Sequence, residues 1–202
     1  EGTIANAELY FTLPIAATAY LLLRHSDRVQ NLLIGFLLTI AFLIKVPAVF
    51  DFLGLFLAYF LIKKDFKPFF IIGIVFVTII VPIFFYFHLN NGLVDFITAA
   101  FKQNSSYIAI DSGPLSKLSN PLFVKAFLLL LALLVSLVLF IKKRISSELL
   151  FLMFWFGFSL YGALLSNRPY LHYLLQIIPP SIILLFYLIK KLLPHDVILE
   201  RS

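Results

Sequence analysis

Residues 31–62 have the sequence NLLIGFLLTIAFLIKVPAVFDFLGLFLAYFLI, and this stretch decides how the chain folds. It is apolar almost throughout, but Lys45 and Pro47 interrupt it. About 20 apolar residues are needed to cross a bilayer, and residues 31–44 alone are short for a span. A lysine beside a helix-breaking proline favours a tight turn between two short antiparallel helices. One long helix kinked at Pro47 is the alternative.

Seven segments of the chain come near the length of a membrane span. The chain is 62% hydrophobic and 13% charged, with a mean hydropathy of +1.03. Soluble domains have about 45–50% apolar and about 25% charged residues. The sequence therefore predicts an all-α fold, a polytopic integral membrane helical bundle with about seven spans. The candidate spans are residues 7–23, 31–44, 46–62, 69–88, 121–141, 148–165 and 170–189.

Basic residues are distributed unequally between the two sides of this predicted bundle. Alternate connections hold ten of the 16 Lys and Arg residues, and the opposite connections hold five. The positive-inside rule then places the ten on the cytoplasmic side and Lys45 outside, but only if Lys45 lies in a turn. The net charge of +6 is explained by these clusters, so no nucleic-acid partner is predicted. The ten are Arg24, Arg28, Lys63, Lys64, Lys67, Lys142, Lys143, Arg144, Lys190 and Lys191.

Residues 1–202 are predicted to form a single membrane domain, because no linker or low-complexity segment divides them. The one long connection, residues 90–120, faces outward, and its segment GLVDFITAAFK (92–102) predicts a short interfacial helix. The chain begins at Glu1, without an initiator Met or signal pattern. We therefore expect it to be a piece of a longer membrane protein that lacks its N-terminal part. The absence of Cys excludes disulfides and thiol nucleophiles.

Three charged residues near the predicted outer face are candidate functional groups. Glu8 suits the first turn of a helix through the helix dipole, or it binds a divalent cation at the membrane surface. Lys45 snorkels to water, or it neutralises a lipid phosphate. Asp51 lies within a span, where an ionisable group is costly and is by default a functional or pairing candidate. Pairing with a basic residue on another helix is one of these two interpretations.

Residues 166–180, SNRPYLHYLLQIIPP, concentrate polar side chains at the mouth of the last span. Arg168, His172 and Gln176 are four apart and would share one helix face, with Tyr173 beside it. An interfacial aromatic belt with a head-group anchor would explain the tyrosines and the arginine. The functional interpretation is a polar strip that holds an anionic or sugar-bearing substrate.

Pro179 and Pro180 are predicted to break this helix about one turn past Gln176, tilting the span and opening a cavity beside it. The spacings match no zinc motif, P-loop, dinucleotide fingerprint or Ser-His-Asp arrangement.

ANAELYFTLP (5–14), FLIKVPAVFDF (42–52) and SNRPYLHYLLQIIPP (166–180), in this order, resemble the polytopic GT-C glycosyltransferases. The chain is most similar to the bacterial protein O-mannosyltransferase and lipid A aminoarabinose transferase group. The resemblance covers the whole chain, as the later part of such an enzyme. It implies transfer of a sugar from a polyprenyl-phosphate carrier to a lipid, glycan or protein acceptor, at the extracytoplasmic face of the cytoplasmic membrane.

The resemblance also implies roles for individual residues. Glu8 is similar to the second acidic site of the group, which is associated with a divalent metal such as Mg or Mn. Lys45 is similar to the Lys of a Thr-Lys-Gly-Pro-like turn that approaches the carrier phosphate, although Ile44 and Val46 replace the Thr and Gly. The pattern Arg…His-Tyr…Gln-x-x-Pro-Pro, which binds the donor, is matched by Arg168, His172, Tyr173 and Gln176.

The essential acid of these enzymes lies in the first external loop, which would precede Glu1. No catalytic base is therefore assigned within residues 1–202. A membrane transporter or lipid-handling protein is one alternative, and it would need paired polar residues near mid-membrane. A non-catalytic membrane assembly subunit is the other.

Overall fold

Long α-helices make up most of the computed structural model, which describes residues 7–24, 27–102, 121–165 and 171–192. These residues form eight α-helices and no strand. A π-helical turn, Thr98–Lys102, and a 3₁₀ helix, Leu171–Ile177, complete them. The α-helices are α1 (Ala7–Leu23), α2 (Arg28–Ile44), α3 (Ala48–Lys63), α4 (Lys67–Leu89), α5 (Leu93–Ile97), α6 (Pro121–Ile141), α7 (Ser147–Ala163) and α8 (Ile178–Leu192).

The turn predicted at Lys45 separates two helices. Lys45 has an extended backbone (φ −159°, ψ 123°) and ends α2, and Pro47 caps the start of α3. A Cβ added to Gly35 in α2 would lie 2.7 Å from Val75 in the first half of α4. Lys45, after α2, shares a cavity with Phe84 near the end of α4. Helices α2 and α4 therefore run in the same direction and α3 runs back, which excludes one long kinked helix.

Helix directions alternate along the rest of the described chain. The start of α1 meets the turn after α2, because Glu8 contacts Lys45. Ser146, before α7, hydrogen-bonds Tyr187 near the end of α8 at 2.7 Å. Lys125, near the start of α6, donates to the carbonyl of Leu164 after α7 at 2.8 Å. All ten basic residues counted above therefore lie at one end of the bundle, called here the basic end, and Lys45 lies at the opposite end.

The most extensive contact between described helices is that of α3 with α7. A Cβ on Gly54 would lie 2.8 Å from the Phe154 carbonyl oxygen and 2.9 Å from the Phe158 Cβ, so only glycine allows this approach. Phe52 and Trp155 are fully buried at the same interface. Close packing of this kind fixes the relative position of the two helices that contribute the polar groups described below.

The outer surface of the bundle is apolar. Helix α4 buries only Pro68 and Ile72, and Phe70, Ile74 and Val81 are among its exposed side chains. A solvated helix would place polar residues on such a face, so this exterior suits lipid. Within the described ranges, Lys67–Leu89, Phe123–Ile141 and His172–Leu192 are long and apolar enough to cross a membrane. The chain is therefore an all-helical protein with membrane-spanning candidates.

The segment predicted as an interfacial helix is helical, as α5 followed by the π-helical turn Thr98–Lys102. Phe96 of α5 stacks on Phe87 of α4 with ring centres 4.5 Å apart. This contact holds the segment against the end of α4 that lies away from the basic end.

Candidate functional site

Glu8 and Lys45 form an ion pair at the end of the bundle opposite the basic end. The Lys45 ammonium donates a hydrogen bond to Glu8 Oε1. The Glu8 side chain is 3% exposed and the Lys45 side chain 22% exposed. Glu8 occupies the first turn of α1, as the sequence predicts, but its carboxylate points into the bundle rather than at the surface. Burying a carboxylate is costly unless it is paired or hydrogen-bonded, and at Glu8 the Lys45 ammonium does both.

Tyr173 covers the same ammonium from the 3₁₀ helix. Lys45 Nζ lies 4.5 Å from the centre of the Tyr173 ring, within the range of a cation–π contact. The His172 ring packs beside Tyr173, with ring centres 4.5 Å apart. Three elements that are distant in sequence therefore meet at Lys45: the start of α1, the α2–α3 turn and the 3₁₀ helix.

A cavity of about 190 Å³ borders Lys45 on the side of α4. Its walls come from the end of α2, the end of α4 and the π-helical turn. The Lys45 ammonium carries three N–H donors and so can bind Glu8 and a second acceptor together. The lining residues are 42–46, Phe84, Phe96 and 99–101.

Asp51 is completely buried one turn into α3, and neutral donors surround it. Its Oδ1 accepts from Trp155 Nε1 at 3.0 Å and from the Ser159 hydroxyl. Its Oδ2 accepts from the Gln176 amide. The basic partner expected from the sequence is not found among the described residues. An indole, a hydroxyl and an amide take its place, so both carboxylate oxygens are satisfied.

Gln176 fits against Asp51 because Gly162 leaves room for it. A Cβ on Gly162 would lie 2.8 Å from Gln176 Nε2 and 3.2 Å from the Phe50 Cβ. The same amide nitrogen lies 3.4 Å from the Pro47 carbonyl oxygen. Gln176 is 3% exposed, so its amide joins the 3₁₀ helix to the start of α3 inside the protein.

The prediction that His172 and Gln176 share one helix face is wrong. These residues lie in a 3₁₀ helix, with about three residues per turn, so positions four apart diverge. His172 contacts Tyr173, whereas Gln176 contacts Asp51. Arg168 lies outside the described residues. Pro179 and Pro180 do not break a helix but begin α8, because proline is tolerated in a first turn.

The described side chains do not supply a set of metal ligands at Glu8. Lys45 occupies Glu8 Oε1, and nowhere in the described ranges do three His, Cys, Asp or Glu side chains cluster closely enough to hold one ion. A divalent cation, Mg or Mn, at Glu8 remains a prediction that would need other ligands.

Sequence reasoning missed Trp155, Ser159 and Gly162. Each lies within an apolar helix and resembles ordinary core, and only Asp51 indicated that polar partners were required. Trp155 and Ser159 are four apart and so share a face of α7, which was the available signal.

Comparison with protein families, curated proteins and solved structures finds no match to this chain.

Proposed function

We propose that the chain is the later part of a GT-C-like membrane glycosyltransferase domain, a single domain with about seven spans. It would move a sugar from a polyprenyl-phosphate carrier to a lipid, glycan or protein acceptor. The observation that supports this best is the convergence of Glu8, Lys45 and Tyr173 from three distant elements at the end of the bundle opposite the basic end. The resemblance associates Lys45 with the carrier phosphate, Tyr173 with the donor and Glu8 with a divalent metal.

The charge distribution supports an extracytoplasmic site. Under the positive-inside rule the basic end is cytoplasmic, so Lys45 faces outward from the cytoplasmic membrane. Helices α1, α2 and α7 have 17 residues each, at the lower limit of about 17–25 for a span. With α3 and the three longer candidate spans, Lys67–Leu89, Phe123–Ile141 and His172–Leu192, they give the proposed seven spans.

Lys45 is the proposed ligand of the carrier phosphate. During transfer the acceptor hydroxyl loses its proton to a base, its oxygen bonds to the anomeric carbon, and the bond from that carbon to the phosphate oxygen breaks. Polyprenyl phosphate leaves with added negative charge. A fixed ammonium beside the phosphate stabilises that charge, and Glu8 and Tyr173 hold the ammonium in position. None of the described residues is assigned as the base.

The remaining predicted residues have supporting roles. Arg168 would add a second positive charge, and His172 would contact the phosphate or the sugar. Gln176 would act on the site through its segment, because its amide nitrogen is directed at Asp51.

A transfer assay tests this function. Membranes containing the full-length protein would be supplied with a labelled polyprenyl-phosphate sugar and an acceptor lipid fraction. Lys45→Met should lower transfer by about 100-fold or more, as expected for loss of a group that stabilises transition-state charge. Thr39→Ala is the matched control, because Thr39 is buried in α2, the helix that precedes Lys45, and its hydroxyl donates to the Gly35 carbonyl. Normal turnover by Lys45→Met would contradict the proposal.

A cation- or proton-coupled transporter is the second candidate. Asp51 favours it, because a fully buried ionisable side chain between membrane helices is a feature of ion pathways. Solute flux through reconstituted protein that stops in Asp51→Asn, without sugar transfer, would establish the transporter instead.

A further inference from the structure

The 3₁₀ helix Leu171–Ile177 is longer than such helices normally are. It has seven residues, whereas 3₁₀ runs beyond about three or four residues are uncommon because their hydrogen bonds are poorly aligned. A segment of this length must therefore be held by contacts to the rest of the protein.

Two side chains on one side of this helix make such contacts. In 3₁₀ geometry, residues three apart are superimposed along the axis, which places Tyr173 and Gln176 on the same face. Tyr173 lies over the Lys45 ammonium, and Gln176 bonds Asp51. Lys45 and Asp51 flank the α2–α3 turn, so the 3₁₀ helix is attached to this turn at two points.

Asp51 is itself fixed by α7. Trp155 and Ser159 both donate to Oδ1, and Oδ2 is the oxygen that Gln176 uses. A fully satisfied buried polar network is rigid, whereas one that loses a member leaves costly unpaired groups. The carboxylate thus joins three elements: α3, α7 and the 3₁₀ helix.

We propose that Asp51 is a positioning residue, which holds Gln176 so that the 3₁₀ helix keeps Tyr173 over Lys45. Asp51 does not contact the ligand. Its effect on carrier binding rests on the proposed function of Lys45, but its effect on the 3₁₀ helix does not.

Spin labelling tests the positioning directly. The chain has no Cys, so Leu174→Cys, at a position 40% exposed in the 3₁₀ helix, gives a single labelling site in the 202-residue chain in nanodiscs. We expect an immobilised spectrum in the parent and a mobile component in Asp51→Leu. Asp51→Asn should restore the parent spectrum, because the carboxamide still accepts from Trp155 and can donate to the Gln176 oxygen after that amide rotates. Thr39→Ala, which removes a buried hydroxyl bond elsewhere, should leave the spectrum unchanged.

A second variant disrupts the hydrogen bond between Gln176 and Asp51 without altering Asp51 itself. Gly162→Ala places a methyl group 2.8 Å from Gln176 Nε2 and so displaces the amide while Asp51 keeps Trp155 and Ser159. It should mobilise the label even if Asp51→Leu does not fold. The emission of Trp155, the one Trp in the chain, should change in Asp51→Leu and stay unchanged in Gly162→Ala. A parent-like label spectrum in both variants would overturn the proposal.

Titration with polyprenyl phosphate then separates the positioning role from the proposed function. If the ordered position of the 3₁₀ helix falls to about a tenth of the molecules, the apparent Kd rises about tenfold. Binding with the affinity of the parent by a mobilised variant would overturn the link between Asp51 and the site. If the parent binds no polyprenyl phosphate, the proposed function fails, whereas the label spectra still decide the positioning role.

Discussion

The ammonium of Lys45 lies 4.5 Å from the centre of the Tyr173 ring, although most of the chain separates the two residues. The contact is independent of the Tyr173 hydroxyl, because the ring face attracts the cation. It follows that another aromatic residue at position 173 would keep this contact.

We therefore predict different outcomes for two substitutions of Tyr173. Tyr173→Leu should weaken polyprenyl phosphate binding by about 2- to 30-fold, which corresponds to a cation–π contact of about 0.5–2 kcal/mol. Tyr173→Phe should keep an affinity close to that of the parent. Titration of both variants in nanodiscs measures the difference, and equal losses in the two would show that the ring face is not responsible.

We predict that substitutions of Glu8 and Lys45 have strongly non-additive effects on the free energy of unfolding. Lys45→Met leaves a buried carboxylate without its cation and should cost about 3–5 kcal/mol of unfolding free energy. Glu8→Gln should cost less, because Lys45 is already partly exposed and its stem can reach water. The double variant should be more stable than Lys45→Met alone. Unfolding of the parent, both single variants and the double variant in mixed detergent micelles gives a double-mutant cycle. Additive losses of unfolding free energy would argue against a coupled pair.

Two glycines test the packing of the bundle. Gly54→Ala forces a methyl group against the Phe154 carbonyl and the Phe158 Cβ, and it should destabilise the protein by about 1–3 kcal/mol. A Cβ added to Gly73 would meet nothing within 4 Å, so Gly73→Ala is the control. It should be neutral or stabilise α4 by up to about 1 kcal/mol. The same unfolding assay compares them, and an equal response would contradict the close approach of α3 and α7.

Much of the helical framework could be predicted from the apolar composition of the chain and from the charged residues and prolines that interrupt its apolar runs. Apolar runs bounded by Lys and Arg clusters mark the helices, and Lys45 beside Pro47 marks the reversal between α2 and α3. These features are local, so one sequence is enough to find them. The 3₁₀ helix could not be predicted, because its seven residues are held by contacts with Lys45 and Asp51 rather than by their own propensity.

The charge distribution predicted that Glu8, Lys45 and the segment 166–180 lie on the same outer face and line one pocket, but it did not predict their contacts. Those contacts depend on how α1, α2 and the 3₁₀ helix pack. The ion pair of Glu8 with Lys45 was not predicted, and a metal at Glu8 stays a prediction. Pairing between residues distant in sequence is decided by tertiary packing, which periodicity does not encode.

Single cysteines would test the orientation of the bundle. Asn90→Cys follows α4 at the end away from the basic end, and Phe66→Cys precedes α4 at the basic end. A membrane-impermeant maleimide should label residue 90 in intact spheroplasts and residue 66 only in inverted vesicles, as the positive-inside rule requires. Labelling of both residues from the same side would contradict α4 as a span.

The most direct test of carrier binding at Lys45 is a titration of polyprenyl phosphate into the parent and into the double variant Glu8→Gln/Lys45→Met. The double variant leaves no unpaired buried charge at this pair, so a loss of affinity reports lost binding rather than unfolding. We predict an affinity about 10- to 150-fold weaker than that of the parent, as expected for a lost hydrogen bond to a charged group of about 1.5–3 kcal/mol. Equal affinity of the parent and the double variant would contradict carrier binding at Lys45.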